Sequence, residues 1–147
     1  MSLPTKKDRD RKYIDKTVKD VEIVLYTGSK MSGEQAFSSI TALIPGNRIN
    51  LHTTIKKFQA ELLRFDSVYR IFIILASAEY ELNRFLALKN LLWGCPLILI
   101  LPDQNRDLVS KGLKLYPRYI SYGIRDFKDV LLVLEKMIQN HSLKQIF

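Results

Sequence analysis

The chain has 147 residues, of which 47% are hydrophobic and 10% aromatic, so its composition excludes a disordered protein and suffices for one domain with a single core. Its 23 Lys and Arg against 15 Asp and Glu give a net charge of +8. No apolar run approaches the ~20 residues that cross a bilayer, so we expect no membrane partner.

The first 20 residues form a charged N-terminal arm. Between Lys6 and Asp20, seven Lys or Arg stand against four Asp, so this segment contributes +3. Mixed charge of this kind indicates a solvated arm and not a secretory signal. A basic tail can also hold nucleic acid through counterion release, but Tyr13 is the only aromatic residue here. We therefore do not expect nucleic-acid binding.

Cys95 is the only cysteine, so no internal disulfide can form. It precedes an apolar strand, which favours a small core residue over a reactive thiol. Without a disulfide or a signal peptide, the predicted location is cytoplasmic.

The first predicted strand is Val21–Tyr26, and the helix after it is expected to begin at Ser32, a weak N-cap. The short run Arg48–His52 alternates apolar and polar residues, which is typical of a strand at the edge of a sheet. Either Thr53 or Thr54 caps the second predicted helix.

The central part of the chain reads as a strand (Tyr69–Ala76), a helix (Tyr80–Leu92) and a second strand (Pro96–Leu101). Neither strand alternates apolar with polar residues, so neither has a wet face. Strands buried on both faces occur where helices cover a parallel sheet. The pattern therefore predicts a right-handed βαβ unit.

The rest of the chain predicts a helix (Arg106–Leu113), a strand (Arg118–Tyr122) and a final helix (Asp126–Asn140), followed by a C-terminal tail over residues 141–147. Leu132 and Val133 fall outside the apolar stripe of the final helix. An apolar surplus of this kind indicates deeper burial or an interface.

Five predicted strands therefore alternate with five predicted helices. This is the pattern of a single doubly wound (βα)5 flavodoxin-like α/β domain over residues 21–140, with a parallel sheet in the order 2-1-3-4-5. Ligands of such sheets bind beyond the carboxyl ends of the strands, at the switch point between strands one and three.

The size, the alternating pattern and the final amphipathic helix resemble the receiver domains of bacterial response regulators, over about Val21 to Gln139. The resemblance implies an acidic pair after strand one, an acceptor aspartate at the end of strand three, Ser or Thr after strand four and Lys after strand five. The corresponding positions here are Tyr26-Thr27, Leu75-Ala76-Ser77, Leu101-Pro102 and Ser121-Tyr122. Every charged member is missing, and phosphoryl transfer needs both the metal and the carboxylate. The chain thus resembles a pseudo-receiver without the phosphorylation residues.

Glu79 and Asp103, one after each of two neighbouring strands, are expected to be the only carboxylates near this edge of the sheet. They are the weak candidates for Mg²⁺, but Glu79 also suits a helix N-terminus and Asp103 suits a helix cap. We therefore expect no metal site. Ser77 as a nucleophile would need a base, and both histidines are predicted to lie far from it.

A phosphate or flavin site is the alternative. Thr27, Gly28, Ser29 and Lys30 lie between the first strand and its helix, where backbone N–H groups could bind a phosphate. The stretch is similar to the phosphate loop of flavodoxins, and Ser77 would lie beside it. An ordinary strand-to-helix turn remains the simpler interpretation, and we expect no cofactor.

Exposed tyrosine and arginine residues are frequent interface anchors. The flank around the last strand and helix, a usual partner face of receivers, offers five candidates: Tyr116, Arg118, Tyr122, Leu132 and Val133. Core packing of some of them is the other interpretation.

These patterns together predict a non-catalytic signalling or adaptor domain, not an enzyme. It would act by protein–protein contacts, including a homodimer through its last helix. A flavodoxin-like domain that binds FMN or a phosphate ligand is the competing hypothesis.

Overall fold

The computed structural model describes residues 21–123 and 127–146, with side chains through Ser142. The charged arm (residues 1–20) and Asp126, the predicted first residue of the last helix, lie outside the described residues. The predictions about the arm therefore stay predictions.

Five strands form one sheet in the order β2-β1-β3-β4-β5, with every neighbouring pair parallel. The strands are β1 (Val21–Thr27), β2 (Ile49–His52), β3 (Tyr69–Leu75), β4 (Leu97–Leu101) and β5 (Tyr119–Tyr122). The predicted strand order and the edge position of β2 are confirmed. The architecture is a flavodoxin-like (βα)5 domain.

Six helices connect and flank the strands in the described part of the chain. They are α1 (Lys30–Ile40), α2 (Ile55–Leu62), α3 (Glu79–Leu86), α4 (Lys89–Leu92), α5 (Arg106–Leu113) and α6 (Phe127–Ile146), and a 3₁₀ turn (Gly46–Arg48) precedes β2. None of the described helices combines the length and the apolar character needed to span a bilayer.

The helix predicted over Tyr80–Leu92 is in fact two helices, α3 and α4. The N–H of Leu88 donates to the carbonyl of Phe85 at 2.8 Å, a three-residue spacing that tightens the end of α3. The apolar spacing continues through this break, so periodicity alone predicted one helix.

The helix boundaries differ from the predictions at three further points. Ser29, and not Ser32, is the N-cap of α1, because its Oγ accepts from the N–H of Ser32 at 3.4 Å. Thr54 is the N-cap of α2 through its Oγ1. Helix α6 continues to Ile146, beyond the predicted end near Asn140.

Each face of the sheet carries its own apolar core. One core packs the sheet against α1 and α6, and the other packs it against α2, α3, α4 and α5. Neighbouring residues of β3 alternate between the two, with Ile73 in the first core and Ile74 in the second. Both faces of the central strands are therefore covered, as their uninterrupted apolar sequence predicts.

A network of ion pairs connects the amino-terminal ends of β1 and β3 to the loop after α2. Arg70 of β3 is 7% exposed and donates to both oxygens of Asp66, at 2.7 and 2.6 Å. Its Nε also contacts Glu22 of β1 at 3.2 Å. The Arg70 guanidinium lowers the pKa of Asp66 from 3.8 to about 2. These ion pairs connect β1, β3 and the loop between α2 and β3.

Candidate functional site

A small crevice opens at the carboxyl ends of the central strands, where the topology predicts a ligand site. Its volume is about 140 Å³. The lining residues are Thr27, Ser29, Ser32, Leu75, Ala76, Ser77, Leu101, Pro102 and Gly123. Among the described residues, the lining therefore consists of hydroxyl groups and apolar groups, without a charged side chain.

The loop between β1 and α1 satisfies its own polar groups. Thr27 is fully buried, and its Oγ1 donates to the carbonyl of Ser29 at 2.7 Å and accepts from the N–H of Ser29 at 3.1 Å. The Ser29 hydroxyl caps α1. Gly28 and Lys30 are exposed and do not line the crevice. The structure thus brings Thr27, Ser29 and Ser77 together in the crevice lining, while Gly28 and Lys30 lie outside it.

The principal polar group beside the crevice is Glu81, a residue that the sequence reasoning missed. Glu81 lies in the first turn of α3 and is fully buried. Its Oε2 accepts from the Tyr26 hydroxyl at 2.5 Å. Its Oε1 accepts from the Oγ of Ser77 at 2.6 Å and from the N–H of Ser77 at 3.0 Å. The carboxylate therefore joins β1, the loop after β3 and α3.

Tyr26 is held in place by apolar packing as well as by Glu81. The ring is 4% exposed and makes edge contacts with Phe85 and Phe58, at centroid distances of 4.9 and 6.2 Å. Burial raises the pKa of the Tyr26 phenol well above its usual range, and the Glu81 carboxylate raises it further. The hydroxyl consequently stays protonated and donates at any physiological pH.

A sequence signal for Glu81 does exist. Glu81 and Phe85 are four residues apart, and Phe85 is a buried anchor of α3, so the two side chains share one helix face. The prediction that Glu79 and Asp103 are the only carboxylates near this edge is therefore wrong, because Glu81, two residues after Glu79 in α3, reaches the loop after β3.

Glu79 and Asp103 have structural partners outside the crevice. Glu79 accepts from the ammonium of Lys111 at 2.6 Å. Asp103 accepts from the N–H of Asn105 at 2.7 Å, and the residue that caps α5 is Asn105, not Asp103. Neither carboxylate lines the crevice. Within residues 21–123 and 127–142, no group of three or more His, Cys, Asp or Glu side chains is placed to hold a metal ion.

Cys95 is half-buried at the beginning of β4 and packs against the core beneath α3 and α5. Its Sγ donates to the carbonyl of Leu91 at 3.3 Å. Burial raises the pKa of the thiol, which disfavours the reactive thiolate.

The crevice does not fit a flavin. Small-molecule sites typically enclose about 300–1,000 Å³, which is well above the volume found here. The lining also contains no aromatic ring to stack on an isoalloxazine. A ligand of phosphate size remains compatible with the volume and the hydroxyl groups.

The five predicted interface residues do not form one patch. Tyr116, at 66% exposure, and Arg118 lie exposed in the turn before β5, whereas Tyr122 is partly buried against the core beneath α5. Leu132 and Val133 belong to α6 on the other face of the sheet, where Leu132 is 58% exposed and Val133 packs partly against the core. Their role as an interface stays a prediction.

No family model, no curated protein and no solved structure matches this chain. The resemblance to receiver domains therefore stays a prediction.

Proposed function

We propose that the protein is a non-catalytic signalling or adaptor domain, similar to a degenerate receiver, that acts through protein–protein contacts. The observation that carries this proposal is that the Glu81 carboxylate is buried and hydrogen-bonded within the protein. Its carboxylate faces inward and accepts three internal hydrogen bonds, so it is not presented to a ligand in the crevice.

Phosphoryl transfer to a carboxylate requires a metal that neutralises the developing charge and an exposed acceptor. The end of β3 provides Ala76 and Ser77 at the acceptor position, and the end of β1 provides Thr27. Mg²⁺ is bound by oxygen ligands that usually include at least one carboxylate. Since the crevice lining offers no carboxylate among residues 21–123 and 127–142, the residues favour a scaffold without this chemistry.

The contact between Ser77 and Glu81 supports a structural role for this pair. It does not support the roles of a nucleophile and its base. The Glu81 carboxylate accepts hydrogen bonds from the Tyr26 hydroxyl and the Ser77 N–H as well as from the Ser77 hydroxyl, so its oxygens are engaged in contacts that hold the fold together. The pair orients the loop after β3, and we assign it no catalytic role.

Exposed apolar side chains support a role in protein contacts. Met31 and Tyr80 are 72% and 63% exposed and lie in the first turns of α1 and α3, so both flank the carboxyl edge of the sheet. Leu132 offers a further apolar contact on α6, where the proposal includes self-association. Exposed Met and Tyr are common in binding surfaces because they give large contact areas.

A thermal unfolding experiment separates this proposal from the ligand-binding alternative. We expect the melting temperature to stay unchanged when FMN or inorganic phosphate is added, because the crevice excludes the flavin and its loop hydroxyls are already engaged. A ligand at about 100 times its Kd would add about 2.7 kcal/mol and raise the melting temperature by several degrees.

Two results of that experiment would contradict the adaptor proposal. A yellow purified protein, or a higher melting temperature with FMN, would identify a flavin domain. A rise with inorganic phosphate alone would favour the second candidate, a phosphate-ligand domain, which the crevice volume supports better than it supports a flavin.

A further inference from the structure

A second and larger cavity lies at the opposite, amino-terminal edge of the sheet. It encloses about 360 Å³ between the ends of α4 and α5, just before β4 and β5 begin. Its lining residues are Lys89, Asn90, Trp93, Lys114 and Tyr116. Two aromatic residues and two lysines therefore line one open cavity.

Both aromatic rings are exposed to solvent. Trp93 is 71% exposed and Tyr116 is 66% exposed, although large aromatic side chains are usually mostly buried. Tyr116 also has a backbone φ of 55°, in the left-handed region that residues other than glycine rarely adopt. Its N–H donates to the carbonyl of Leu113 at 3.1 Å, which ends α5 and sets the position of the ring.

The two lysines at this cavity have no acidic partner among the described residues. Neither Lys89 nor Lys114 forms an ion pair there, whereas Lys111 of the same helix α5 binds Glu79. No carboxylate from the described part of the chain lines the cavity, and the whole chain carries a charge of +8. The site is therefore complementary to an anion that also has a planar apolar face.

We propose that this cavity binds a nucleotide unit of single-stranded nucleic acid, with a base stacked on Trp93 or Tyr116 and phosphate oxygens bound by Lys89 and Lys114. Non-specific single-strand sites combine these two features, stacking surfaces and cations along the backbone. An acidic peptide would engage the ammonium groups but would leave both ring faces unused. The expectation against nucleic acid considered the N-terminal arm alone and is revised by this cavity.

This proposal is independent of the adaptor proposal, because the two sites lie at opposite edges of the sheet. Because FMN and phosphate are themselves anions, the melting experiment is repeated with Lys89→Ala, Lys114→Ala. A stabilisation that this variant abolishes belongs to the present cavity, and one that persists belongs to the crevice and contradicts the adaptor proposal.

Trp93 is the only tryptophan of the chain, so intrinsic fluorescence reports on this cavity directly. We expect an oligothymidylate to quench the Trp93 emission of the full chain, and the quenching to weaken as salt increases. Thymidine monophosphate is tested in parallel. Quenching by both ligands would show that free nucleotides also bind, and quenching by the oligomer alone would show that a strand is required. Either result supports a site that stacks a base and binds a phosphate.

Two variants test the assigned residues. Tyr116→Gly removes the ring and accepts the positive φ without strain, and we expect the affinity to fall about 5- to 100-fold. The double variant Lys89→Ala, Lys114→Ala should weaken binding and reduce the slope of log affinity against log salt by about 1.4, since each single-strand phosphate contact contributes about 0.7. The matched control is Lys56→Ala, Lys57→Ala, which removes the same charge from exposed positions on α2 and should leave the affinity nearly unchanged.

Three results would overturn the proposal. In the first, the oligothymidylate leaves the Trp93 emission unchanged. In the second, polyglutamate displaces the oligothymidylate at equal charge concentration. In the third, the Lys56→Ala, Lys57→Ala control loses as much affinity as the Lys89→Ala, Lys114→Ala variant. The last two would show a general attraction of anions to a basic protein.

Discussion

Replacing Glu81 with alanine should lower the free energy of unfolding by about 2–5 kcal/mol, measured by urea denaturation. The substitution removes three hydrogen bonds and empties a fully buried position. It also leaves the buried Tyr26 hydroxyl without an acceptor, whereas the exposed Ser77 can bind water instead. Most of the loss therefore comes from Tyr26 and from the cavity.

The matched control is Glu79→Ala, in the same first turn of α3. Glu79 is half exposed and binds Lys111, and a surface ion pair of this kind contributes about 0–1 kcal/mol. Equal losses for the two alanine variants would show that the burial of Glu81 does not matter. A double variant, Tyr26→Phe with Glu81→Leu, should be more stable than Tyr26→Phe alone, because the apolar pair leaves no buried polar group unpaired.

Gly28→Ala should cost about 1–3 kcal/mol, because the new methyl group would overlap the Glu81 carboxylate. A Cβ at this position would lie 2.7 Å from both Cδ and Oε1 of Glu81. The sequence suggested Gly28 as part of a phosphate loop, but in the structure this residue leaves room for a carboxylate of the protein itself. Urea denaturation of the variant measures the cost.

Gly46→Ala is the control for backbone effects, since its Cβ would lie 3.4 Å from Cζ of Phe37, where the ring needs little or no adjustment. We expect it to be neutral or slightly stabilising. The penalty of Gly28→Ala should also shrink when Glu81 is already alanine, since residues in contact are not additive. An undiminished penalty in that background would assign the cost to the backbone of Gly28 and contradict the steric explanation.

The fold could be predicted because its signals are continuous along the chain. Ile71–Ala76 and Pro96–Leu101 are apolar throughout, which predicts strands covered on both faces, and the alternating run at Arg48–His52 predicts the edge strand. The division between α3 and α4 could not be predicted, because it depends on a local hydrogen bond of Leu88 that leaves the apolar spacing intact.

The position of the crevice could be predicted from topology, but its chemistry could not. Tyr26 and Ser77 were recognised as residues at the strand ends, whereas their partner Glu81 comes from inside a helix and from 55 residues after Tyr26. The cavity at the amino-terminal edge was also missed. Trp93 and Tyr116 line this cavity together although they lie far apart in the sequence, and no sequence spacing shows this.

Together, the contacts of Glu81 describe a flavodoxin-like domain in which a buried carboxylate near the carboxyl edge of the sheet has a structural role. It joins β1 to α3 through Tyr26 and connects to the loop after β3 through Ser77. Under the proposed resemblance to receivers, the acceptor acid would follow β3, where this chain has Ala76 and Ser77.

The most direct test of this account is the reaction of the purified full chain with acetyl phosphate and Mg²⁺, followed by intact-mass measurement. We predict an unchanged mass, because the crevice presents no carboxylate to accept the phosphoryl group. A mass increase of one phosphoryl group that is lost on treatment with hydroxylamine would reveal an acyl phosphate and contradict the account.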